Sequence, residues 1–289
     1  MNGSDKCPMC RGGDFIPSWV GTLEYRGKDF NYLKCVDCGS FVCHPMPGTD
    51  TLRLMYGQDY VLNGTVGEDP SMAKFDEALD FLRERPPGVF LDYGCGDGRL
   101  LQEVRKLGWD VIGVEFDPDV VNQLAGKIDA EVIGPDEAPS RLADVVHLGD
   151  VLEHLTDLEK QMPKVMSLVK KDGLVIAHGP LEANPSFFNR VLKLSRKLKG
   201  GKITSIPPYH VIMATTNGQR ELFRLSGLSE IRFDVAEIAF PAPGTLAETD
   251  LKQPRSVMLY LTRKVSQAIT TIRGAKYLGN RYFFIGKKT

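Results

Sequence analysis

VFLDYGCGDGR, the stretch from Val89 to Arg99, decides the fold of this chain of 289 amino acids. It begins with an apolar run of strand length, and a segment of helical character follows from Arg99 to Leu107. Glycines at 94, 96 and 98 stand between the two and remove side chains where a backbone passes close to a ligand. Their spacing differs from the G-x-G-x-x-G of dinucleotide-binding proteins, and the loop has no lysine for a triphosphate. The stretch therefore predicts a strand, a ligand-approaching loop and a helix.

Strands and helices alternate on the carboxyl side of this loop. The predicted strands are 89–92, 110–115, 130–133, 143–148 and 173–178, and the predicted helices are 99–107, 118–127 and 157–171. Such alternation is typical of a mostly parallel sheet covered by helices on both faces. We therefore predict an α/β domain over residues 89–289, with insertions at about 180–215 and 240–280. A helical, turn-rich linker over residues 49–88 precedes it.

Carboxylates follow the predicted strands at the edge where ligands bind in open α/β sheets. Glu115 ends the second strand, where a carboxylate accepts both hydroxyls of a ribose. Asp136 follows the third strand and is a candidate acceptor for an adenine amino group, although an ordinary turn carboxylate is the alternative. After the fourth strand comes the segment from Gly149 to Leu155, which reads GDVLEHL.

Five of the six cysteines lie in the first 43 residues. Cys7 and Cys10 form one C-x2-C pair, and Cys35 and Cys38 form another. Two such pairs are typical of a tetrahedral zinc site, in which the residues between the pairs form a hairpin. Four thiolates leave no position for water or substrate, so we predict a structural zinc ribbon over residues 1–48.

Two disulfides are the alternative to zinc at these cysteines. The amino-terminal residues are polar and do not resemble a secretory signal, so we expect a cytoplasmic, reducing location in which disulfides are rare. No apolar run is long enough for a membrane-spanning helix. The formal net charge of -1 argues against a DNA-binding protein.

The Asp-x-Gly-x-Gly-x-Gly at residues 92–98, Glu115 and the DVLEHL segment at 150–155 resemble class I S-adenosylmethionine-dependent methyltransferases. The branch that the chain resembles carries an amino-terminal zinc ribbon and modifies sugars, polysaccharides or lipids. The segment from Pro208 to His210 and the final residues 281–287, expected as an antiparallel last strand, also resemble that branch. The resemblance covers most of the chain and implies S-adenosylmethionine as cofactor. It also implies an enzyme that methylates O or C of a small molecule or glycan, such as a nucleotide-linked sugar.

The resemblance also assigns roles to individual positions. Asp92 is expected to orient the glycine loop and the amino group of the cofactor, and Glu115 to hold the ribose. Gly94 and Gly96 are expected to line the methionine arm, and Asp136 to meet the adenine, with Glu137 as a competing candidate. The remaining expected cofactor contacts are Cys95, Phe116, Gly149 and Asp150.

Methyl transfer from a sulfonium needs a base when the acceptor is a hydroxyl or a carbon acid. The candidate bases are His210, His178 and His154, in that order. Asp150, Glu153 and His154 also have i, i+3, i+4 spacing, which would place them on one helical face. A divalent metal there is one interpretation, and local shaping of the cofactor pocket is the other. His147 lies inside an apolar strand, which favours a packing role.

Two segments, 186–202 and 257–272, are predicted to be basic amphipathic helices. Such helices receive a phosphorylated substrate, rest on an anionic membrane surface, or simply cover the sheet. The basic face favours an acidic acceptor. An RNA methyltransferase that reads its substrate through the ribbon is the alternative function, although residues 1–48 balance five basic against five acidic side chains. A non-catalytic interaction protein built on this fold is a further alternative, which the intact glycine loop and Glu115 disfavour.

Overall fold

The computed structural model describes residues 6–56, 75–199, 203–204, 207–238, 254–272 and 274–289. The chain divides into two compact units. The first, here called the ribbon unit, contains the residues up to Met55 together with Pro180–Leu222 and Asp234–Tyr282 in their described parts. The second, here called the sheet unit, contains Tyr56–Gly179, Phe223–Phe233 and Phe283–Thr289, again in their described parts.

The secondary structure alternates as the sequence predicts. The strands are β1 (Phe15–Tyr25), β2 (Lys28–Cys35), β3 (Phe41–His44), β4 (Val89–Tyr93), β5 (Asp110–Val114), β6 (Glu131–Ile133), β7 (Ala143–Gly149), β8 (Val169–Pro180), β9 (Ile203–Thr204), β10 (Ile212–Met213), β11 (Leu228–Ala236) and β12 (Arg281–Lys288). The helices are α1 (Thr49–Tyr56), α2 (Asp76–Arg83), α3 (Arg99–Lys106), α4 (Pro118–Leu124), α5 (Leu158–Leu168), α6 (Phe187–Lys199), α7 (Thr216–Leu225) and α8 (Pro254–Thr270). Short 3-10 turns cover Leu152–His154 and Lys276–Leu278.

The sheet unit is built on a seven-stranded sheet in the order β11-β12-β8-β7-β4-β5-β6. Strand β4 pairs in parallel with β5 and β7, β5 with β6, and β7 with β8. The α/β fold class with a mostly parallel sheet is therefore confirmed. Because these strands run in parallel, their carboxyl ends meet at one edge, where the glycine loop and Glu115 lie. The antiparallel direction expected for the last strand stays a prediction.

The core of the sheet unit lies between the sheet and its helices. Phe90 on β4 and Val145 on β7 are buried against Leu101 and Val104, which lie on one face of α3. Each buried side chain of this size contributes about 1.5–3 kcal/mol of stability by leaving water. This packing fixes the strand end from which the glycine loop departs.

The ribbon unit contains a five-stranded sheet in the order β10-β3-β2-β1-β9. Strands β1 and β2 form the hairpin that the sequence predicts, and its turn is two residues long because Tyr25 pairs with Lys28. Arg26 has φ 50° and Gly27 has φ 76°, which is the turn geometry whose twist suits a two-residue hairpin loop. The pairing register shifts between Pro17 and Thr22.

Residues far along the chain complete the ribbon unit. Strand β10 pairs with β3, where Met213 lies opposite Phe41. Residues 180–222, which include most of the segment predicted as an insertion, therefore group with the ribbon rather than with the sheet. The division at residues 48 and 88 stays a prediction, since the compact units follow spatial contact and not chain order.

The boundary between the predicted helix 157–171 and the strand after it differs from the prediction. The helix expected over 157–171 ends at Leu168, and β8 begins at Val169 rather than at Gly173. Val169 pairs with Ala143 on β7, and the Nζ of Lys170 is 2.8 Å from both carboxylate oxygens of Asp144. These contacts hold the segment as strand, so the prediction of helix there was wrong.

Both predicted basic helices are present, as α6 and α8, which pack against each other within the ribbon unit. Their apolar faces are not covered by the described residues: Leu194 is 60% exposed, Leu198 79% and Leu261 55%. The last three positions of the predicted segment 186–202, residues 200–202, lie outside the described residues. Among the described helices, none combines the length and the apolar character that crossing a membrane requires.

Candidate cofactor and metal sites

The glycine loop leaves β4 with three residues in the left-handed region. Gly94 has φ 85°, Gly96 has φ 53° and Gly98 has φ 74°. A Cβ at Gly94 would lie 3.0 Å from Val151, and one at Gly98 would lie 3.0 Å from Ile128. A Cβ at Gly96 would meet no atom of the described residues within 4 Å. Gly94 and Gly98 thus permit close packing of Val151 and Ile128 against the loop. Gly96 instead has open space beside its Cα, here called its open face, at the edge of the sheet.

Glu115 is held beside that open face by backbone donors. Its carboxylate accepts from the backbone N–H of Gly96 at 2.8 Å, of Phe116 at 2.6 Å and of Asp117 at 3.2 Å. These bonds fix the carboxylate at the carboxyl end of β5 and join it to the glycine loop of β4. The chain thus places a preorganised acceptor next to backbone that no described side chain covers.

Aromatic rings adjoin this edge. Phe116 is 38% exposed, and its ring lies 5.5 Å from the ring of Tyr93 in an edge-to-face arrangement. The hydroxyl of Tyr93 donates to Oε1 of Gln161 at 2.9 Å, and burial together with the nearby Asp136 raises its pKa to about 12. Tyr93 is therefore a neutral, fixed support for the exposed ring of Phe116.

Two residues predicted to contact the cofactor, Asp136 and Cys95, interact with other residues of the protein. Asp136 forms an ion pair with Lys164 at 2.6 Å and is almost fully exposed, so its adenine role stays a prediction. The thiol of Cys95 is buried, and a Cβ at Gly113 would lie 2.8 Å from its sulfur. Burial raises the pKa of this thiol, which packs against β5 while its backbone N–H donates to Val114.

Asp92 bonds a residue that sequence reasoning assigned to packing. The Nδ1 of His147 is 2.7 Å from Oδ1 of Asp92, and the two residues are 1% and 4% exposed. They lie opposite each other on the paired strands β7 and β4. The described residues offer no hydrogen-bond partner to Nε2 of His147. A polar residue on each of two neighbouring buried strands is the signal that could have revealed this pair.

His178 extends this arrangement toward Asp150. Its ring centre lies 5.0 Å from that of His147, and its Nδ1 is 3.9 Å from Oδ2 of Asp150. A Cβ at Gly149 would lie 2.5 Å from Cε1 of His147 and 2.7 Å from Nε2 of His178, so only glycine fits there. The structure thus brings Asp92, His147, His178 and Asp150 together at the carboxyl ends of β4, β7 and β8.

The helical face predicted for Asp150, Glu153 and His154 is absent. Asp150 has φ 50°, and only residues 152–154 form a single 3-10 turn. Asp150 does not belong to the group of ligand atoms within 4.8 Å that contains Glu153 and His154, and the divalent-metal interpretation stays a prediction. His154 instead has its Nδ1 2.8 Å from the hydroxyl of Tyr56.

His210, the first candidate base, belongs to the ribbon unit. Its Nδ1 is 2.7 Å from Oε2 of Glu182, and its backbone oxygen accepts from the hydroxyl of Tyr32 at 2.7 Å. The His210 side chain is 32% exposed, against 6% for that of His178. A carboxylate that holds one ring nitrogen fixes the orientation of the ring and stabilises its protonated form.

The four predicted metal ligands converge in the ribbon unit. The sulfur atoms of Cys7, Cys10, Cys35 and Cys38 all lie within 4.8 Å of one another. Cys7 and Cys38 are 3.7 Å apart and Cys10 and Cys35 are 3.5 Å apart, with no disulfide. Zinc–sulfur bonds of about 2.3 Å in a tetrahedron place sulfur atoms roughly 3.8 Å apart. The cluster is therefore compatible with a zinc ribbon.

The backbone around the cluster forms the turns that zinc knuckles use. The N–H of Arg11 donates to the carbonyl of Cys7 at 2.7 Å, and the N–H of Gly39 donates to that of Cys35 at 3.0 Å. Gly39 has φ 77°, as expected for a glycine after a knuckle. The hydrogen bond between the Cys7 and Cys38 thiols lowers the pKa of Cys38 and raises that of Cys7. Thiolate is the form of cysteine that binds metal.

Comparison with known proteins agrees with this geometry. Residues 71–205 match the methyltransferase domain family. A ubiquinone biosynthesis O-methyltransferase of Rhodopseudomonas palustris (strain BisA53) is 29% identical over 118 residues, which are 37% of this chain and 46% of that protein. A ribosomal protein L11 methyltransferase of Ralstonia pickettii (strain 12J) is 34% identical over 98 residues, which are 32% of each protein. The chain thus spans less than half the length of these two relatives.

A solved structure supports the same fold. The plantazolicin methyltransferase BamL, in complex with a triazolic desmethylPZN analog and SAH, superposes with a TM-score of 0.51 at 12% identity. The superposition covers 83% of this chain and 94% of that one. The match to the methyltransferase domain family is thus confined to residues 71–205, and the superposition shows the fold. The seven-stranded sheet of the chain has the Rossmann-like fold of S-adenosylmethionine-dependent methyltransferases.

Proposed function

We propose that the protein transfers a methyl group from S-adenosylmethionine to O or C of an acidic small-molecule or glycan acceptor. The open face of Gly96 beside the carboxylate of Glu115 carries the cofactor part of this proposal. S-adenosylmethionine has a ribose, whose hydroxyl groups need a hydrogen-bond acceptor on the protein. It also has a methionine part that bears a carboxylate, which needs protein backbone with no side chain in the way. The residues present at this edge fit both needs.

The chain's own groups bind and position the reactants. Glu115 accepts the ribose hydroxyls, Phe116 offers an exposed ring to the adenine, and Gly94 and Gly96 leave room for the methionine arm. The hydrogen bond between Asp92 and His147 holds the carboxyl end of β4 in place, where the glycine loop begins. Bound S-adenosylmethionine supplies an activated methyl group, and alignment of the acceptor with it provides most of the acceleration.

The acceptor proton is assigned to His210. Its partial exposure gives an acceptor access to the ring, and its bond to Glu182 would stabilise the imidazolium after proton transfer. His178 is the alternative base, although it is nearly buried. The four-cysteine cluster is assigned to structural zinc, because four thiolates complete the coordination of the ion. Cysteines persist as free thiols or thiolate ligands in a reducing compartment, which supports a cytoplasmic location for the protein.

Calorimetric titration with S-adenosylmethionine tests the cofactor assignment. We expect micromolar binding by a zinc-replete preparation, and a loss of at least tenfold in Glu115→Ala, because the ribose hydroxyls lose a charged acceptor. Glu159→Ala is the matched control, since Glu159 is an exposed carboxylate on α5. Failure of the unaltered protein to bind the cofactor below millimolar concentration would reject the proposed function.

Mass spectrometry of products tests the acceptor class. Incubation with S-adenosylmethionine and a panel of nucleotide-linked sugars is expected to give a product heavier by one methylene group. Quinol precursors and ribosomal RNA serve as comparison substrates. Turnover restricted to the RNA would reject the acidic small-molecule or glycan acceptor while leaving methyl transfer intact.

A further inference from the structure

A cavity of about 690 Å³ lies entirely within the ribbon unit. It is lined by β1 near the register shift, by the second cysteine knuckle, by the start of α6 and by the residues that open α7. Its volume falls in the range of sites that bind small molecules, roughly 300–1,000 Å³. The expected cofactor contacts all belong to the sheet unit, so this cavity is a separate feature of the chain.

Buried hydrogen bonds fix the cavity walls. The hydroxyl of Thr215 donates to the carbonyl of Cys38 at 2.6 Å, and its backbone N–H donates to the hydroxyl of Ser40 at 3.2 Å. The next residue, Thr216, donates its N–H to Oδ1 of Asn184 at 2.8 Å. The amide of Asn184, only 2% exposed, donates to the carbonyl of Gly279 at 2.6 Å. The walls are therefore rigid before any ligand binds, which reduces the entropy lost on binding.

The charge around the cavity has one sign. Lys34, Arg190 and Lys193 line it, and no aspartate or glutamate among the described residues does. Within the described part of the chain, none of these three cations forms an ion pair with an acidic residue. Cations that converge on a concave surface without acidic partners attract an anionic ligand.

The remaining lining suits a sugar ring. Trp19 is half-buried, and its ring stands edge-to-face to that of Phe41 at 6.2 Å and 82°, which fixes its orientation. The amide nitrogen of Asn189 donates to the carbonyls of Glu182 and Asn184 at 2.7 and 2.8 Å, which leaves its Oδ1 as an acceptor. Asn217 adds an amide group that both donates and accepts hydrogen bonds. An apolar ring face beside amides and cations matches a ligand with an apolar face, hydroxyl groups and a negative charge.

We propose that this cavity binds an anionic sugar, meaning a pyranose that carries a phosphate or carboxylate group. The three cations neutralise the anion, the amides bond the hydroxyls, and the indole of Trp19 contacts the ring. The binding itself stands on the cavity alone, whereas any link between this sugar and the methyl acceptor rests on the proposed function. Because Cys38 lines the cavity and also belongs to the cysteine cluster, the metal site builds part of the sugar site.

Titration of the full chain with simple probes tests the proposal. Glucose 1-phosphate and glucuronate are expected to bind at least tenfold more tightly than neutral glucose, and glucose 1-phosphate more tightly than inorganic phosphate. Arg190→Gln and Lys193→Gln are each expected to weaken glucose 1-phosphate binding roughly tenfold, the loss of one charged hydrogen bond. Lys197→Gln is the matched control, because Lys197 is exposed on the same helix and does not line the cavity.

Tryptophan fluorescence locates the bound probe. The chain has two tryptophans, Trp19 and the buried Trp109, so the Trp109→Phe variant reports on the cavity alone. Glucose 1-phosphate is expected to change the emission of this variant with the same dissociation constant as in calorimetry. Equal affinity for glucose and glucose 1-phosphate, equal affinity for phosphate alone, or no effect of the two substitutions would overturn the proposal.

Cofactor binding on the same preparations separates the two proposals. Normal binding of S-adenosylmethionine without sugar binding rejects the sugar cavity and leaves the methyltransferase assignment in place. Sugar binding without cofactor binding supports the cavity and rejects the proposed function.

Discussion

Asp92 and His147 lie opposite each other on neighbouring parallel strands, and a hydrogen bond of 2.7 Å joins their buried side chains. Replacing His147 with leucine would leave the Asp92 carboxylate buried without this partner. We expect His147→Leu to lower the free energy of unfolding by about 1–3 kcal/mol, measured by urea denaturation. His44→Leu, at an exposed histidine, is expected to change it by less than about 0.5 kcal/mol. Equal effects of the two substitutions would show that the buried pair adds no stability.

Gly96→Ala distinguishes a role in cofactor binding from a role in folding. An alanine there meets open space but must adopt φ 53°, which costs about 1–2 kcal/mol. Gly126→Ala carries the same kind of strain, with φ 83° and open space around it. We expect both variants to lose similar stability in thermal unfolding. We expect only Gly96→Ala to lose S-adenosylmethionine affinity, and a similar loss in both would contradict the assignment of the loop.

Metal analysis of cysteine variants tests the zinc site. The unaltered protein is expected to contain about one zinc ion per chain, bound by four thiolates. Cys38→Ser is expected to lose most of it, because one of four strong ligands is gone. Cys43→Ser is the matched control: Cys43 is buried nearby but lies outside the four-cysteine cluster, and burial raises the pKa of its thiol to about 12. Zinc loss in both variants, or two disulfides in the purified protein, would refute the ribbon.

Steady-state kinetics test the base. We expect His210→Gln to lower kcat by about 10²- to 10⁴-fold, the usual contribution of a general base, with unchanged S-adenosylmethionine affinity. Glu182→Gln should lower kcat less, because glutamine still holds the ring but does not stabilise its charge. His44→Gln serves as the control. If His210→Gln retains full activity, His178→Gln becomes the variant that identifies the base.

The sheet could be predicted from the sequence because its signals are local. Each element is predicted by a pattern of only a few residues. These patterns are the apolar runs of strand length, the glycines of the 94–98 loop and the proline that opens α4. The convergence of the four cysteines was also predictable, since two C-x2-C pairs joined by a hairpin are typical of a four-thiolate zinc site. The start of β8 was missed because pairing with Ala143, a tertiary contact, outweighs the helical character of the segment.

Contacts between distant parts of the chain escaped prediction for the same reason. His147 was interpreted as packing because a single sequence does not show which residue lies opposite it. The pairing of β10 with β3 depends on a strand of two residues, which has no pattern to detect. The cavity combines β1, the cysteine knuckle, α6 and the start of α7, and nothing in its local sequence marks it.

The bond network between Ser40 and Thr215 also sets an order for folding during synthesis. These residues are 175 positions apart, and their hydroxyl groups lie 3.4 Å from each other. Strands β1 and β2 and the four clustered cysteines all precede the sheet unit in the chain. The cavity walls, in contrast, cannot close until the chain beyond Thr215 has left the exit tunnel. A nascent chain stalled before that point therefore lacks the wall that Thr215 contributes.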